Sequence, residues 1–98
     1  MSKLFAQVTK PENGYQFDED RARALIRDNS KEHLFEVTGI NIGRSDSSVY
    51  LKDLPGYFNS VNFSFFIKVD DGRIKEYDIL VNSNNLDLIR HTYRICFK

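Results

Sequence analysis

The two histidines, His33 and His91, are the side chains best suited to acid–base chemistry near neutral pH. A metal-independent ribonuclease needs one imidazole as base, one as acid, and a cation that stabilises the charge developing on phosphate. Lys31, Arg90 and Arg94 lie near the histidines in sequence and would supply that cation. His33 precedes a predicted strand among charged neighbours, whereas His91 falls on the apolar parity of another strand. We therefore expect one exposed and one packed histidine, and ribonuclease activity is a remote alternative.

Metal binding and thiol chemistry have little support in the sequence. A metal site would need His33, His91, Cys96 and carboxylates to converge, and no paired spacing such as Cys-x-x-Cys or His-x-x-x-His is present. Cys96 is the single cysteine, so no intrachain disulfide can form, which is typical of a reducing compartment. No local pattern marks this thiol as a nucleophile. We predict no metal, no cofactor and no catalytic residue, and hence a protein that is not an enzyme.

Two segments contain residue types that bind phosphates. Gly43–Ser48 combines glycine, arginine and hydroxyls, but it lacks the setting and the lysine of a phosphate-binding loop, so it is interpreted as a hairpin connection. The stretch 88–98 has no acidic residue and interleaves aromatics with Arg90, Arg94 and Lys98, as single-stranded nucleic-acid binders do. Alternation along a strand would send the aromatics to one face and Arg94 and Lys98 to the other, which favours a solvated basic face. Because the segment still combines basic and aromatic residues without an acid, single-stranded nucleic-acid binding is kept as the main alternative function.

Composition narrows the class of protein. The 14 basic and 14 acidic residues balance, without the basic excess of a duplex-binding module or the acidic excess of a DNA mimic. No apolar run approaches the roughly 20 residues that span a bilayer, and the N-terminus does not resemble a secretory signal. With 98 residues, 41 % of them hydrophobic, the chain can build one core. We predict a single globular domain over residues 1–98, located in the cytoplasm.

The longest alternating pattern runs from Phe58 to Val69. One parity reads Asn, Val, Phe, Phe, Ile, Val, and the other is mostly Ser and Asn. A period of two predicts a strand with one apolar and one polar face. The turn residues Pro55-Gly56 and Asp71-Gly72 bound it on either side. This segment predicts a protein organised around an antiparallel sheet.

The remaining patterns complete an α+β fold. A helix is predicted over Asp18–Asn29, where Ala22, Leu25 and Ile26 form a narrow apolar stripe. A bulge at Gly39 would turn the apolar residues on either side of it, Phe35, Val37, Ile40 and Ile42, to one face of their strand. Further strands are predicted at Leu4–Thr9, Leu34–Ile42, Val49–Leu51 and His91–Lys98, and a short helical turn is predicted to end at Ile89. An Asp70-Asp71-Gly72 hairpin turn leads into another predicted strand, in which Tyr77, Ile79 and Val81 face inward and Glu76 and Asp78 outward.

Together these elements predict one helix packed on a mainly antiparallel sheet of about five or six strands, bent towards a half-open barrel. The helix is expected to cover one face of the sheet. That face is predicted to be lined by Val61, Phe63, Phe65, Ile79 and Ile95.

Three pieces of the chain between Val37 and Phe65 form a further pattern. They are Ile40–Ser45, Val49–Leu51 and Gly56–Phe63, and Phe58-Asn59-Ser60-Val61 is the most particular part. The pattern resembles a module of small accessory proteins from phages and mobile elements of Gram-positive bacteria. The resemblance covers about a third of the chain and implies no catalytic residue. It implies a protein that binds and blocks a host machine such as a CRISPR effector.

Small size, neutral charge, the lack of a catalytic motif and the resemblance together predict a non-enzymatic inhibitor of a host defence complex, similar to anti-CRISPR proteins. The expected partner is a host protein or ribonucleoprotein complex, with no membrane and with nucleic acid contacted only weakly or indirectly. Exposed aromatic and arginine side chains supply most of the binding energy in protein interfaces. We therefore predict that Arg44, Tyr50 and Tyr57 bind the partner.

Overall fold

Strands are the most frequent secondary structure among the residues that the structure describes. The computed structural model describes residues 2–8, 24–25, 27, 32–42, 47–69, 71–77 and 86–97. Its elements are, in chain order, β1 (Lys3–Val8), β2 (Phe35–Ile42), β3 (Ser47–Leu51), β4 (Phe58–Asn59), a 3-10 turn (Ser60–Asn62), β5 (Phe63–Lys68), β6 (Ile74–Glu76) and helix α1 (Leu86–Cys96).

The six described strands form one sheet in the order β4-β3-β2-β1-β5-β6, and all neighbours are antiparallel. Helix α1 packs against the core of this sheet. The fold is therefore α+β, with a helix on a mainly antiparallel sheet, as predicted. Within the predicted helix Asp18–Asn29, the structure describes Ala24, Leu25 and Arg27, which are helical, and Leu25 packs against the core. The rest of that segment lies outside the described residues.

The bulge predicted at Gly39 is present in β2. The register between β2 and β3 shifts between Val37 and Gly39, which leaves one extra residue in β2. Simple alternation would put Val37 and Ile40 on opposite faces, whereas the bulge places both in the core. Phe35 and Ile42 pack against the same core. The bulge therefore gives β2 a single apolar face.

The segment from Phe58 to Val69 is two strands rather than the predicted one. β4 pairs with β3, β5 pairs with β1, and the 3-10 turn joins them. In a flat sheet, β4 and β5 would lie four strand spacings, about 19 Å, apart. The four residue steps from Asn59 to Phe63 span at most about 14 Å, so the sheet must curl. The rings of Phe58 and Phe63 lie 6.1 Å apart across the turn. The curled sheet is not closed, and β4 and β6 are its two edges.

The predicted alternation is confirmed in β5, where Phe63, Phe65 and Ile67 are buried and the residues between them are more exposed. It is wrong around the 3-10 turn, because the polar residues there are buried. Asn59 and Asn62 are completely buried, and Ser60 is nearly so. The hydroxyls of Ser60 and Ser47 lie 2.9 Å apart, and the Asn62 amide donates a hydrogen bond of 3.3 Å to the Asn59 carbonyl. Since the chain turns here inside the curl of the sheet, residues of both parities point into the protein.

The core contains part of the predicted set. Phe63 and Phe65 are buried as predicted, and Ile95 on α1 is half-buried. Ile79 and the side chain of Val61 lie outside the part of the chain that the structure describes. The buried hydrophobic cluster comprises Leu4, Ala6, Val8, Val37, Ile40, Val49, Leu51, Phe58, Phe63, Phe65 and Ile89.

The predicted last strand, His91–Lys98, is wrong, because α1 occupies most of that segment. The short helical turn predicted through Ile89 is the beginning of this 11-residue helix. Ile89 and Thr92 are buried, and Cys96 is half-buried, a spacing of three and four residues that is typical of a helix. No helix among the residues that the structure describes has the length and apolar content needed to cross a membrane.

The hairpin predicted at residues 70–72 joins β5 to β6. Gly72 has a φ of 88°, and its N–H donates a hydrogen bond of 2.9 Å to the Val69 carbonyl. Beyond β6, Tyr77 packs against the core, as predicted. Residues 78–81 lie outside the described range.

Candidate functional site

Tyr50 projects from the outer side of β3. It is 39 % exposed, whereas the other four residues of the strand are buried. Gly39 lies opposite Tyr50 in β2. A Cβ atom at Gly39 would come within 3.3 Å of Tyr50 Cδ2, so the missing side chain allows the ring to lie close to the β2 backbone. The glycine of the bulge thus makes room for this tyrosine ring.

Tyr57 reaches the same surface from the loop between β3 and β4. Asp53 and Gly56 have φ values of 66° and 75°, which allow the chain to reverse tightly. Leu54 anchors the loop, because its side chain packs against the core and its N–H donates to the carbonyl of the last residue of β3 at 3.2 Å. The loop therefore holds Tyr57 beside β3.

Tyr50 and Tyr57 form an exposed aromatic pair, hereafter the tyrosine pair. Their ring centroids lie 6.3 Å apart and their planes make an angle of 70°, the edge-to-face arrangement that aromatic rings prefer. Tyr57 is 46 % exposed. Each ring offers a large apolar surface and a hydroxyl, which is why tyrosine is enriched among the residues that dominate interfaces.

A polar rim of balanced charge borders the tyrosine pair. Lys52 and Asp53 follow β3 and are both exposed, as are Thr38 and Asn41 on β2. The Thr38 hydroxyl donates a hydrogen bond of 3.3 Å to the Tyr50 carbonyl. An aromatic centre within a polar, hydrated rim is the usual anatomy of a protein interface.

The structure brings together two of the three residues that were predicted to bind a partner. Tyr50 and Tyr57 are neighbours, whereas Arg44 lies outside the described residues. The sequence indicates both tyrosines through the turn residues Pro55-Gly56 that separate them. Their contact depends on the path of the loop, which no local pattern specifies. Their role in binding remains a prediction.

The basic residues predicted to bind nucleic acid lie on a helix instead of a strand. Arg90 and Arg94 are one turn apart in α1 and share a face, and Lys98 lies outside the described residues. In a strand, alternation would send the aromatic residues to the face opposite Arg94 and Lys98, but this argument does not apply to a helix. Tyr93 follows Arg90 by three residues and is 39 % exposed. Arg90 Nη1 lies 3.6 Å from the carboxylate of Asp87.

Both histidines are exposed, so the expectation that His91 is packed is wrong. His91 lies on the solvent side of α1, where the helical period rather than alternation sets its direction. His33 precedes β2, and its ring meets Phe35 edge-on at 4.4 Å. The two imidazoles therefore belong to different parts of the fold, and ribonuclease activity stays a remote alternative.

A cleft of about 270 Å³ opens where β1 leaves β2 beside the end of α1. It is lined by Lys3, Leu4, Glu36, Val37, Thr38, Cys96 and Phe97. Lys3 and Glu36 form an ion pair of 3.5 Å. Burial raises the pKa of the Cys96 thiol, which disfavours the reactive thiolate. Across the described residues, no three His, Cys, Asp or Glu side chains gather where they could hold a metal ion.

Tyr93 is a structural residue that sequence reasoning misses. Its hydroxyl accepts a hydrogen bond of 2.9 Å from the Ile40 N–H and donates one to the Ile40 carbonyl. The paired positions of β1 and β2 end at Glu36, before Ile40. The tyrosine thus takes the place of a neighbouring strand and ties α1 to the sheet. Only a correct helical assignment of this segment would have suggested it.

Comparison with known proteins relates this chain to proteins of bacteriophages. A family model described as bacteriophage T4 protein Y07B matches residues 3–91, and the chain belongs to this family. It is 44 % identical over 90 residues to an uncharacterized 11.2 kDa protein in the segB-ipI intergenic region of Enterobacteria phage T4. That match covers 92 % of this chain and 94 % of the relative. No solved structure matches the chain.

The family match confirms the resemblance to small phage proteins and corrects its details. The relative belongs to a phage of enterobacteria, which does not support a Gram-positive host. The similarity also extends over nearly the whole chain and gives no special weight to Phe58-Asn59-Ser60-Val61. Three of these residues, Phe58, Asn59 and Ser60, are buried around the turn that curls the sheet, which is a structural role.

Proposed function

We propose that this phage protein binds a host protein or ribonucleoprotein complex through the tyrosine pair and inhibits it without catalysis. The binding takes place in the bacterial cytoplasm. The form of inhibition that we favour is the blocking of a host defence complex, as anti-CRISPR proteins do. The observation that supports the proposal is the pair of exposed, edge-to-face rings of Tyr50 and Tyr57.

The tyrosine pair is held in place before any partner arrives. The ring of Tyr50 lies against the backbone at Gly39, and the loop that carries Tyr57 is anchored by Leu54. A side chain that is already ordered loses little conformational entropy on binding, so more of its contact energy appears as affinity. Two such rings would serve as the central anchors of an interface.

The charge around the tyrosine pair indicates the chemistry of the partner surface. Lys52 and Asp53 are both exposed and have opposite charges, and the whole chain has a formal net charge of zero. The two opposite charges described beside the tyrosine pair therefore contribute little net electrostatic steering. The partner surface that fits best has apolar pockets for two rings and acceptors for their hydroxyls.

Affinity capture with matched variants tests the proposal. The tagged protein is incubated with lysate of an enterobacterial host, and the double variant Tyr50→Ala/Tyr57→Ala is compared with Ile74→Ala. Ile74 is a suitable control because it is 49 % exposed and lies on β6, the edge strand at the other end of the strand order from β3 and β4. We expect the wild type and Ile74→Ala to retain one stoichiometric partner that the double variant loses.

Inhibition requires a second measurement on the captured partner. Its activity is assayed with increasing wild-type protein and with the folded double variant, whose folding is checked by thermal unfolding. Loss of partner activity with the wild type alone supports the proposal. Equal capture by the double variant, or a partner whose activity is unchanged at saturation, contradicts it.

A further inference from the structure

Helix α1 presents its basic residues to solvent on one side. Arg90 and Arg94 are both exposed and separated by one turn, a rise of about 6 Å along the axis. His91 lies between them in sequence and is exposed as well. The helix contains one acidic residue, Asp87, in its first turn. We call Arg90, His91 and Arg94 the basic face of α1.

We propose that the basic face of α1 binds the phosphate backbone of a single-stranded nucleic acid. A guanidinium group binds phosphate oxygens through two parallel, charge-assisted hydrogen bonds, which makes arginine well suited to phosphate. The separation of Arg90 and Arg94 along the helix allows each to contact a different phosphate of the same strand. This surface is additional to the tyrosine pair and does not depend on it.

Tyr93 favours a single strand over a duplex. Tyr93 is 39 % exposed, and its side chain is held by the hydrogen bonds to Ile40 and by the Phe97 ring, 5.0 Å away. An exposed, immobile ring beside arginines is a surface on which an unpaired base stacks, whereas the bases of a duplex are not available for stacking. Two arginines on a chain of zero net charge also provide fewer phosphate contacts than duplex-binding modules use.

Asp87 limits the strength of this surface. Its carboxylate lies 3.6 Å from Arg90 Nη1, and both side chains are largely exposed. An exposed ion pair contributes little stability, so a phosphate can replace the carboxylate as the partner of Arg90. Because Asp87 competes with the phosphate and repels it, removing its charge should strengthen binding.

Fluorescence anisotropy with labelled single-stranded RNA and DNA oligonucleotides, at a series of salt concentrations, tests the proposal. Two neutralised phosphates predict a slope of log K against log salt of about −1.4. Arg90→Ala and Arg94→Ala should each weaken binding and reduce the slope by about 0.7. Asp87→Asn should tighten binding. The matched control is Arg73→Ala, which removes an equally exposed arginine that also pairs with an aspartate, on the β5–β6 hairpin, and should change nothing.

Any one of three outcomes would overturn the proposal. The first is the absence of oligonucleotide binding at low salt, or binding that Arg90→Ala and Arg94→Ala leave unchanged. The second is binding to polyglutamate without binding to oligonucleotides, which would assign the basic face to an acidic protein. The third is equally tight binding of a DNA duplex, which would remove the preference for a single strand. Thermal unfolding of each variant confirms that it is folded.

Discussion

A single hydroxyl completes the backbone hydrogen bonding of β2 where β1 no longer pairs with it. Buried or half-buried backbone groups are nearly always paired, because an unpaired group loses its bonds to water without replacement. The Tyr93 hydroxyl serves both the N–H and the carbonyl of Ile40. One side chain therefore makes the two backbone hydrogen bonds that a neighbouring strand would otherwise make at this position.

We predict that Tyr93→Phe destabilises the protein by about 1–3 kcal/mol, because both groups of Ile40 lose their partner in a partly buried place. The ring and its contact with Phe97 are retained, so the loss reports on the hydroxyl alone. Chemical denaturation measures the free energy of unfolding. Tyr50→Phe is the control: it removes a hydroxyl from an equally exposed tyrosine and should stay within about 0.5 kcal/mol of the wild type. If Tyr93→Phe lowered the free energy of unfolding no more than Tyr50→Phe does, the hydrogen bonds to Ile40 would contribute nothing to stability.

At the scale of elements, glycines serve two different purposes. Gly72 has a φ of 88° with open space around its Cα, so its role is conformational. Gly39 has no positive φ, and its role is to make room for the ring of Tyr50. The two residues therefore respond differently to the addition of one methyl group.

We predict that Gly72→Ala costs about 1–2 kcal/mol through backbone strain alone. Gly39→Ala should change the free energy of unfolding less, because the added Cβ would meet an exposed side chain at 3.3 Å, and a shift of that ring by a few tenths of an ångström relieves the contact. It should nevertheless displace Tyr50 and reduce capture of the partner described above. Denaturation of both variants checks the stabilities. A larger loss for Gly39→Ala than for Gly72→Ala would show that the bulge itself needs glycine.

Helix α1 shows how one segment can fit two periods. His91, Tyr93, Ile95 and Phe97 alternate as in a strand, whereas the residues that are actually buried are three and four positions apart. The Thr92 hydroxyl donates to the Leu88 carbonyl at 2.9 Å and lies 3.1 Å from the Tyr77 hydroxyl. A polar residue thus occupies a core position of the helix because it finds partners there.

At the scale of the whole molecule, the sheet curls so that β4 and β5, which do not pair with each other, are joined by a short turn. Phe63 begins β5 directly after the 3-10 turn and contacts the rings of Phe58 and Phe65 at 6.1 and 6.3 Å. It is 5 % exposed. This ring fills the inside of the curl, where a void cannot be closed by a small movement of one strand.

We predict that Phe63→Ala destabilises the protein by about 3–5 kcal/mol, through lost burial and the cavity that remains. Phe66→Ala, on the opposite parity of β5 and only half-buried, should cost clearly less. Thermal and chemical unfolding of the two variants measure the difference. If the two variants lost the same free energy of unfolding, Phe63 would not be a central core residue, and its ring would not fill the inside of the curled sheet.

The sequence by itself determines the features that depend on neighbouring residues. Alternation locates β1, β2 and β3, the glycine at position 39 marks the bulge, and Asp71-Gly72 marks the hairpin. The turn residues before β4 also place Tyr57 at a surface. Each of these signals is local, because it arises from side-chain direction along one strand or from the φ values that a turn requires.

Only the tertiary structure decided the features that depend on distant contacts. The strand beginning at Phe58 breaks at Ser60 because its two halves pair with different strands, β3 and β1. The C-terminal segment is helical because its stripe packs on the sheet, and this fixes the exposure of His91 and the neighbouring positions of Arg90 and Tyr93. Such choices follow from which surfaces are buried together, and the burial of a side chain is a property of the whole fold rather than of its sequence neighbours.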